Sequence, residues 1–152
     1  MTEFNDKQIE ILQVAERLFA EEGFDGTSIR AIARDAHVNI AMISYYFGSK
    51  EKLLEALITY RTSDMKVKLE NIFKEDVSPF EKIDRLIDLY IFRINQNKCM
   101  YQIMHFELST KKRIIQMESF MEIKRENAEI FRKIVAEGQA KGCLLYTSPS
   151  PR

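Results

Sequence analysis

The chain has 152 residues, of which 45% are hydrophobic and 30% are charged, and its formal net charge is zero. This length fits one compact domain, or a small head on a helical body. Zero net charge excludes a uniformly basic, non-specific nucleic-acid binder, so any nucleic-acid site has to be local.

Several other classes of protein are excluded by missing patterns. No apolar run approaches the roughly 18 residues of a membrane span, and no signal peptide opens the chain, which predicts a cytoplasmic protein. The two cysteines, Cys99 and Cys143, have no metal-ligand spacing. We find no nucleophile–base pair, paired carboxylates or glycine-rich phosphate loop. The sequence therefore predicts neither an enzyme nor a bound cofactor.

Apolar residues recur at helical spacing throughout, and no strand alternation interrupts them, so we expect an all-α fold. In the first helix the apolar stripe runs from Ile11 to Phe19. Asn5 or Asp6 is expected to cap the start of this helix, and Gly23 takes the left-handed position at its end.

Further helices follow in order. Thr27 or Ser28 is expected to cap the second helix, Asn39 the third and Ser49 the fourth. We expect the fourth helix to run from Lys50 through Ile72. Ser78-Pro79 starts a fifth helix, whose apolar face comprises Phe80, Ile83, Leu86, Ile87, Tyr90, Ile91 and Ile94. Residues 99–108 predict a short helix, and residues 112–141 a long one that is either continuous or broken near Ser119.

The second and third helices have the outline of a helix-turn-helix DNA-binding unit. The third is expected to bury Ile40, Ile43 and Phe47 and to present its other face to the major groove. Candidate base-reading residues on that face are Asn39, Ala41, Met42 and Ser44. Candidate phosphate contacts are Thr27, Ser28, Tyr45, Tyr46 and Lys50, because hydroxyls, an ammonium and helix N-termini all bind phosphate.

The local charge agrees with this interpretation. Residues 27–53 contain four basic and two acidic side chains, whereas residues 1–26 contain two basic and seven acidic ones. An alternative stays open for individual residues: Tyr46 could equally pack in the core, and Arg34 could be a solvated surface charge. His37 is expected in a turn. The alternative for the whole unit is a helical protein–protein adaptor that does not bind DNA.

The segment TSIRAIARDAHVNIAMISYYFGSKEKLL, with the preceding AERLFAEEGFDG, resembles the N-terminal domain of the tetracycline-repressor (TetR) family of bacterial transcription regulators. The resemblance covers roughly residues 10–58. It implies that Tyr45 and Lys50 lie at phosphate-contact positions. In two places the chain departs from the family pattern: His37 stands where a glycine is usual, and Tyr46 where a histidine is common.

The resemblance also implies a ligand-responsive homodimer that binds a double-stranded DNA operator. A small molecule would enter a cavity in the C-terminal part and shift the fourth helix. Candidate pocket residues are the large side chains Tyr90, Phe92, Met100, Tyr101, Met104, His105, Phe106, Met117 and Phe120. Each of them could instead be ordinary core at helical spacing.

The last ten residues, CLLYTSPSPR, differ in character from the helical sequence before them. They resemble a translated sequencing adapter, the alternative being a native Pro/Ser-rich tail. We therefore expect three parts: a DNA-binding domain over 1–49, a partial regulatory domain over 50–142, and a non-native tail over 143–152. If the native chain continues past residue 142, this chain should dimerise weakly and expose apolar surface on its last helix.

Overall fold

A computed structural model describes residues 3–110 and 118–144. All regular secondary structure in these two ranges is helical, which confirms the all-α class. The helices are α1 (Asp6–Gly26), α2 (Ile29–Asp35), α3 (Ile40–Phe47), α4 (Lys50–Thr62), α5 (Met65–Lys74), α6 (Pro79–Gln96), α7 (Lys98–Ser109) and α8 (Glu118–Ala140). None of the described helices is long and apolar enough to cross a membrane.

Side-chain caps begin the helices where the sequence predicted them. Asn5, rather than Asp6, caps α1 in a reciprocal capping box with Gln8. Ser28, rather than Thr27, caps α2 by accepting a hydrogen bond from the amide of Ala31. The predicted caps of α3, α4 and α6 are confirmed, and in α6 a proline occupies the first turn.

Two backbone conformations connect the first three helices. Gly23 has a φ of +76° within the last turns of α1, as its sequence position predicts. His37, between α2 and α3, has a φ of +53°. A side chain with a Cβ is strained in this region of φ, and this is the position where the TetR pattern has glycine.

The prediction of one helix from Lys50 to Ile72 is wrong, because α4 ends at Thr62 and α5 begins at Met65. In the last turn of α4 the hydroxyl of Thr62 donates to the carbonyl of Ile58 and so competes with the backbone amides for this acceptor. In addition, the guanidinium of Arg93 in α6 donates to the carbonyl of Arg61 and to the carboxylate of Asp64. These bonds satisfy the carbonyl and the carboxylate at the break.

The buried apolar side chains form two clusters. The larger joins α1, α2, α3 and α4 to α7 and to Phe120 of α8, so it crosses the predicted boundary at residue 49. The smaller joins α5, α6 and α8. Helix α4 is central to the first cluster, since Leu53, Leu54, Leu57 and Ile58 are at most 2% exposed. The head, which we define as α1–α3, and the body, which comprises the helices from α5 onward, are therefore packed together through α4.

The expected apolar face of α6 is only partly buried. Leu86 is buried and Ile83 half-buried, but Phe80, Ile87, Ile91 and Ile94 are exposed. On α8, Phe131 is 48% exposed. Half of the large apolar side chains that are exposed in the described part thus lie on α6, in addition to the exposed Phe131 on the last helix, where exposed apolar surface was predicted. The predicted helix over 112–141 is described only from Glu118 onward, and residues 111–117 lie outside the described ranges.

Candidate nucleic-acid interface and inner cavity

Helix α3 has one buried and one exposed face. Ile43 and Phe47 are buried, as predicted, and anchor the helix to α2 and α4. The prediction that Ile40 faces inward is wrong, because its side chain is 42% exposed. It lies in the first turn of α3, where Asn39 accepts a hydrogen bond from Met42 and holds the helix start at the surface.

The predicted base-reading residues share the exposed face. Asn39, Ala41 and Ser44 are exposed, and Met42 is half-buried. Asn39 uses its side-chain oxygen to cap α3, so its amide NH₂ is the group left for an outside partner. The face is small and polar enough for a groove to approach closely.

The two tyrosines of α3 have different surroundings. Tyr45 is 85% exposed, and its ring stands beside that of Tyr46 with centroids 5.4 Å apart. Tyr46 is half-buried and packs against the core next to Phe47. Tyr45 is thus free to contact a phosphate, while the position of Tyr46 fits the core alternative left open by the sequence.

Thr27 cannot serve as the predicted phosphate contact. Its side chain is 1% exposed, and its hydroxyl lies 2.8 Å from the carbonyl oxygen of Gly23 and 3.1 Å from that of Leu18. Thr27 therefore closes the end of α1 inside the core. The neighbouring Ser28 is exposed and remains a candidate at the start of α2.

Lys50 makes more contacts within the protein than we predicted. Its Nζ atom donates to the carbonyl oxygens of Phe24, at 2.8 Å, and Thr27, at 2.9 Å. The same atom lies 4.4 Å from the centroid of the Phe24 ring. An ammonium has three hydrogens, so one is left for a phosphate. Lys50 therefore ties the start of α4 to the loop between α1 and α2.

The basic residues near α2 also differ in availability. Arg30 is exposed, as is Arg34, which pairs with Asp35 at 2.9 Å. Asp35 pairs as well with Arg17 at 2.7 Å. Hydrogen bonds from Arg17 and then Arg34 lower the pKa of Asp35, so this carboxylate stays charged and neutralises part of the local basic surplus.

A cavity of about 590 Å³ lies between the end of α4 and helices α5, α6, α7 and α8. Five of the predicted pocket residues line it: Tyr90, Met100, Tyr101, Met104 and Phe120. Burial raises the pKa of the Tyr90 phenol, which keeps its hydroxyl protonated.

Three other predicted pocket residues are not part of the cavity lining. His105 is exposed on α7, so it is neither a core histidine nor a pocket residue. Phe92 and Phe106 are also exposed and lie outside the lining. Met117 lies outside the described residues.

The polar part of the cavity was not predicted from the sequence. The polar lining residues that were not predicted include Arg61, Arg93, Lys124, Asn127 and Arg132. The helical spacing of Phe120, Ile123, Lys124, Asn127 and Phe131 was visible in the sequence and could have indicated one face of α8. The two arginines on α4 and α6 gave no comparable signal, because only the tertiary fold brings them to the cavity.

An ion-pair network connects the cavity to the head. Arg61 lines the cavity, and its guanidinium donates to the carboxylate of Glu16 on α1, with Nε at 2.9 Å. Glu16 is 5% exposed. Arg93 also lines the cavity and donates to the carbonyl of Arg61 and to Asp64, with Nη1 at 2.7 Å from Oδ1. A change at either arginine would therefore alter contacts of α1.

A family profile and two relatives match this chain over different lengths. Residues 11–57 match the family profile described as bacterial regulatory proteins, tetR family. The probable transcriptional regulator YttP of Bacillus subtilis is 51% identical over 49 residues, which are 32% of this chain and 24% of that protein. The transcriptional repressor NicS of Pseudomonas putida is 30% identical over 142 residues, covering 87% of this chain and 63% of NicS. The chain thus spans less than two thirds of the length of either relative.

A solved structure extends the similarity to the body. The TetR/AcrR-family transcriptional regulator from Thermobifida fusca is 30% identical to this chain and superposes with a TM-score of 0.71. The match covers 95% of this chain and 76% of that one. Together with the helix-turn-helix geometry of α2 and α3, these matches show that the chain belongs to the tetR family of bacterial regulatory proteins.

Proposed function

We propose that this protein is a sequence-specific DNA-binding transcription regulator that represses its target and releases its operator when a small molecule binds. The observation that carries the proposal is the division of α3: Ile43 and Phe47 are buried, while Ala41, Ser44 and Tyr45 are exposed on one side. A helix of this kind can enter the major groove without disturbing its own core.

The proposed DNA contacts are of two kinds. Ser28, Tyr45 and the third hydrogen of the Lys50 ammonium contact phosphates and fix the orientation of the head. The exposed start and face of α3 contact base edges through Asn39, Ala41, Met42 and Ser44. The exposed Ile40 adds an apolar group for a thymine methyl.

The proposed regulation runs through α4. The end of this helix lines the cavity through Arg61 and Thr62, and its start is bonded to the head through Lys50. A ligand that binds one arrangement of α4 better than the other shifts the population of head orientations. In a homodimer the two heads must fit half-sites about 34–36 Å apart, so a small change in orientation prevents simultaneous docking.

Repression, rather than activation, is proposed because NicS is a transcriptional repressor. The alternative function, a protein–protein adaptor, predicts no dependence of partner binding on phosphate charge. The two functions are therefore separated by a binding experiment on DNA.

The experiment begins by selecting binding duplexes from a randomised pool and then measures affinity across a salt series. DNA binding predicts a steep loss of affinity with salt, since each neutralised phosphate releases counterions. Arg30 is exposed near the start of α2. In the variant Arg30→Gln we expect the salt slope, which is the slope of log affinity against log salt concentration, to fall in magnitude by about 1. The matched control is Arg125→Gln, an exposed arginine on α8. No selection of duplexes, or an affinity that does not change with salt, would favour the adaptor, whereas an unchanged slope in the Arg30 variant would show only that Arg30 contacts no phosphate.

Sequence preference has its own variant. Ser44 is exposed on the proposed base-reading face, so Ser44→Ala should change which duplexes are selected and leave the salt slope intact. A variant that reduced the salt slope but selected the same duplexes would place Ser44 on a phosphate instead.

A further inference from the structure

We infer that the effector is an amphipathic organic anion, whose acidic head group pairs with Lys124 and whose hydrocarbon body fills the apolar part of the cavity. This inference rests on the proposed function, in which the cavity holds the effector. It adds the chemical class of the ligand and the orientation in which the ligand binds.

The body of the ligand is specified by the walls. Most of the lining is apolar and large, and it includes Met100, Met104, Leu108, Phe120 and Ile123. Methionine and aromatic side chains adapt to flexible apolar guests. A cavity of about 590 Å³ is in the range of small-molecule sites and can hold a medium-length hydrocarbon chain.

The sign of the head group follows from the charged lining. Arg61, Arg93, Lys124 and Arg132 line the cavity, and no acidic side chain does so among the described residues. A cationic ligand would therefore find no acidic partner in the described lining, whereas an anion can pair with a lining cation that no carboxylate already neutralises. The lining therefore selects against a cationic ligand.

Lys124 is the cation most available to such an anion. Arg61 and Arg93 are already held by carboxylates that do not line the cavity, those of Glu16 and Asp64. Arg132 lies 3.3 Å from the exposed Glu129. Lys124 has neither an ion pair nor a hydrogen bond within the described ranges.

A second polar group marks the same place. Asn127 lines the cavity three residues after Lys124, which is about one helical turn along the same face of α8. Its Oδ1 atom is buried and has no hydrogen-bond partner in the described part of the chain. Buried polar atoms are normally paired, so this oxygen, which accepts hydrogen bonds, requires a donor such as a water. The NH₂ group of the same amide is the part that can donate to an acidic head group. Lys124 and Asn127 together form a polar site within an otherwise apolar stripe that contains Phe120, Ile123 and Phe131.

The test compares three probes with the same hydrocarbon chain by isothermal titration calorimetry: decanoate, decanol and decyltrimethylammonium, all below micelle formation. We expect decanoate to bind at least about fivefold more tightly than decanol, and decyltrimethylammonium to bind most weakly. Lys124→Gln should reduce the affinity for decanoate to that for decanol. Lys133→Gln, which removes an exposed lysine of α8 outside the lining, should leave it unchanged.

Each outcome has a distinct meaning. Decanol or the ammonium probe binding as tightly as decanoate would overturn the anion inference while supporting a ligand cavity. Equal losses in the Lys124 and Lys133 variants would overturn the placement of the head group. Failure of all three probes to bind would overturn the inference, whereas salt-dependent binding of selected duplexes would still support the proposed DNA-binding function.

Discussion

Lys50→Met separates the structural role of Lys50 from its role in DNA binding. Methionine keeps an unbranched apolar stem and removes the ammonium. The variant therefore loses the bonds from Nζ to the carbonyl oxygens of Phe24 and Thr27, together with the contact between Nζ and the Phe24 ring. The remainder of α4 should be unaffected, since its cap is supplied by Ser49.

The expected loss of stability follows from these contacts. Hydrogen bonds to a charged group contribute about 1.5–3 kcal/mol each, and a partly exposed cation–π contact about 0.5–1 kcal/mol. Lys50 is half-buried, so water can replace part of what the two carbonyls lose. These contributions sum to at least about 3.5 kcal/mol, and because water replaces part of them we expect Lys50→Met to lower the free energy of unfolding by about 2 kcal/mol.

Urea unfolding followed by helical circular dichroism measures this loss. The control is Lys52→Met, because Lys52 is exposed and pairs only with Glu55 in the described part of the chain, at 2.7 Å. Its loss should be within about 0.5 kcal/mol. A fall of about 1 in the DNA salt slope would agree with the proposed phosphate contact. If Lys50→Met were as stable as the unmodified protein, the contacts of Lys50 with Phe24 and Thr27 would be energetically unimportant and the reasoning above would be refuted.

Three further predictions address the turn, the ion-pair network and the pH dependence. His37→Gly should stabilise the protein by about 0.5–1 kcal/mol in urea unfolding, because the backbone strain relieved at φ +53° is larger than the cost of the extra chain entropy of glycine in the unfolded state. As a control, His105→Gly in the exposed middle of α7 should destabilise the protein by about 1 kcal/mol. Arg61→Met should lower the free energy of unfolding by about 3 kcal/mol, because it leaves the Glu16 carboxylate buried and unpaired. The double variant with Glu16→Met should recover much of that loss. Equal instability of the double variant would show that the pair matters through packing alone. Hydrogen bonds from Lys52 and then Ser119 lower the pKa of Glu55 below its ordinary value of 4.5. The stability that they contribute is therefore present above pH 4.5 and is lost as the pH falls through the lowered pKa. Unfolding measured across that pH range should show a smaller loss of stability for Glu55→Gln than for the unmodified protein.

The sequence allowed the helices and their starts to be predicted because the signals are local. A cap such as Asn39 or Ser49 acts on amides within three residues of itself, and the apolar spacing around Ile43 repeats within one helix. The all-α class and the helix-turn-helix follow from such patterns. The positive φ of His37 was also accessible, because it depends on one position in a short turn.

The errors concern contacts between distant segments. The break after Thr62 depends partly on Arg93, which lies 32 residues from the carbonyl of Arg61 to which it donates. The bonds from Lys50 to the carbonyls of Phe24 and Thr27 were not predicted, because no local pattern shows that these two carbonyls lie within its reach. The apolar part of the cavity was predictable from large side chains, but its cations were not, since charged residues on helix surfaces are usually solvated.

Three helix ends among the described residues are closed by a cation from another helix. Lys50 of α4 binds carbonyls at and after the end of α1, Arg93 of α6 binds the carbonyl of Arg61 in α4, and Lys82 of α6 binds the carbonyl of Phe73 in α5. A cation at a helix C-terminus also interacts favourably with the helix dipole. These bonds therefore hold α4 against α1, and α6 against α4 and α5.

Helix α4 is attached to the head at both ends. Lys50 binds the loop that follows α1, and Arg61 binds Glu16 within α1, while the residues between are packed in the core. Because close-packed interiors resist internal sliding, a ligand acting near Arg61 cannot rotate α4 freely against α1. We therefore expect α4 and the head to move together as one rigid unit when a ligand rearranges the bonds from Arg93 of α6 to Arg61 and Asp64, so that the exposed face of α3 changes its orientation without changing its shape.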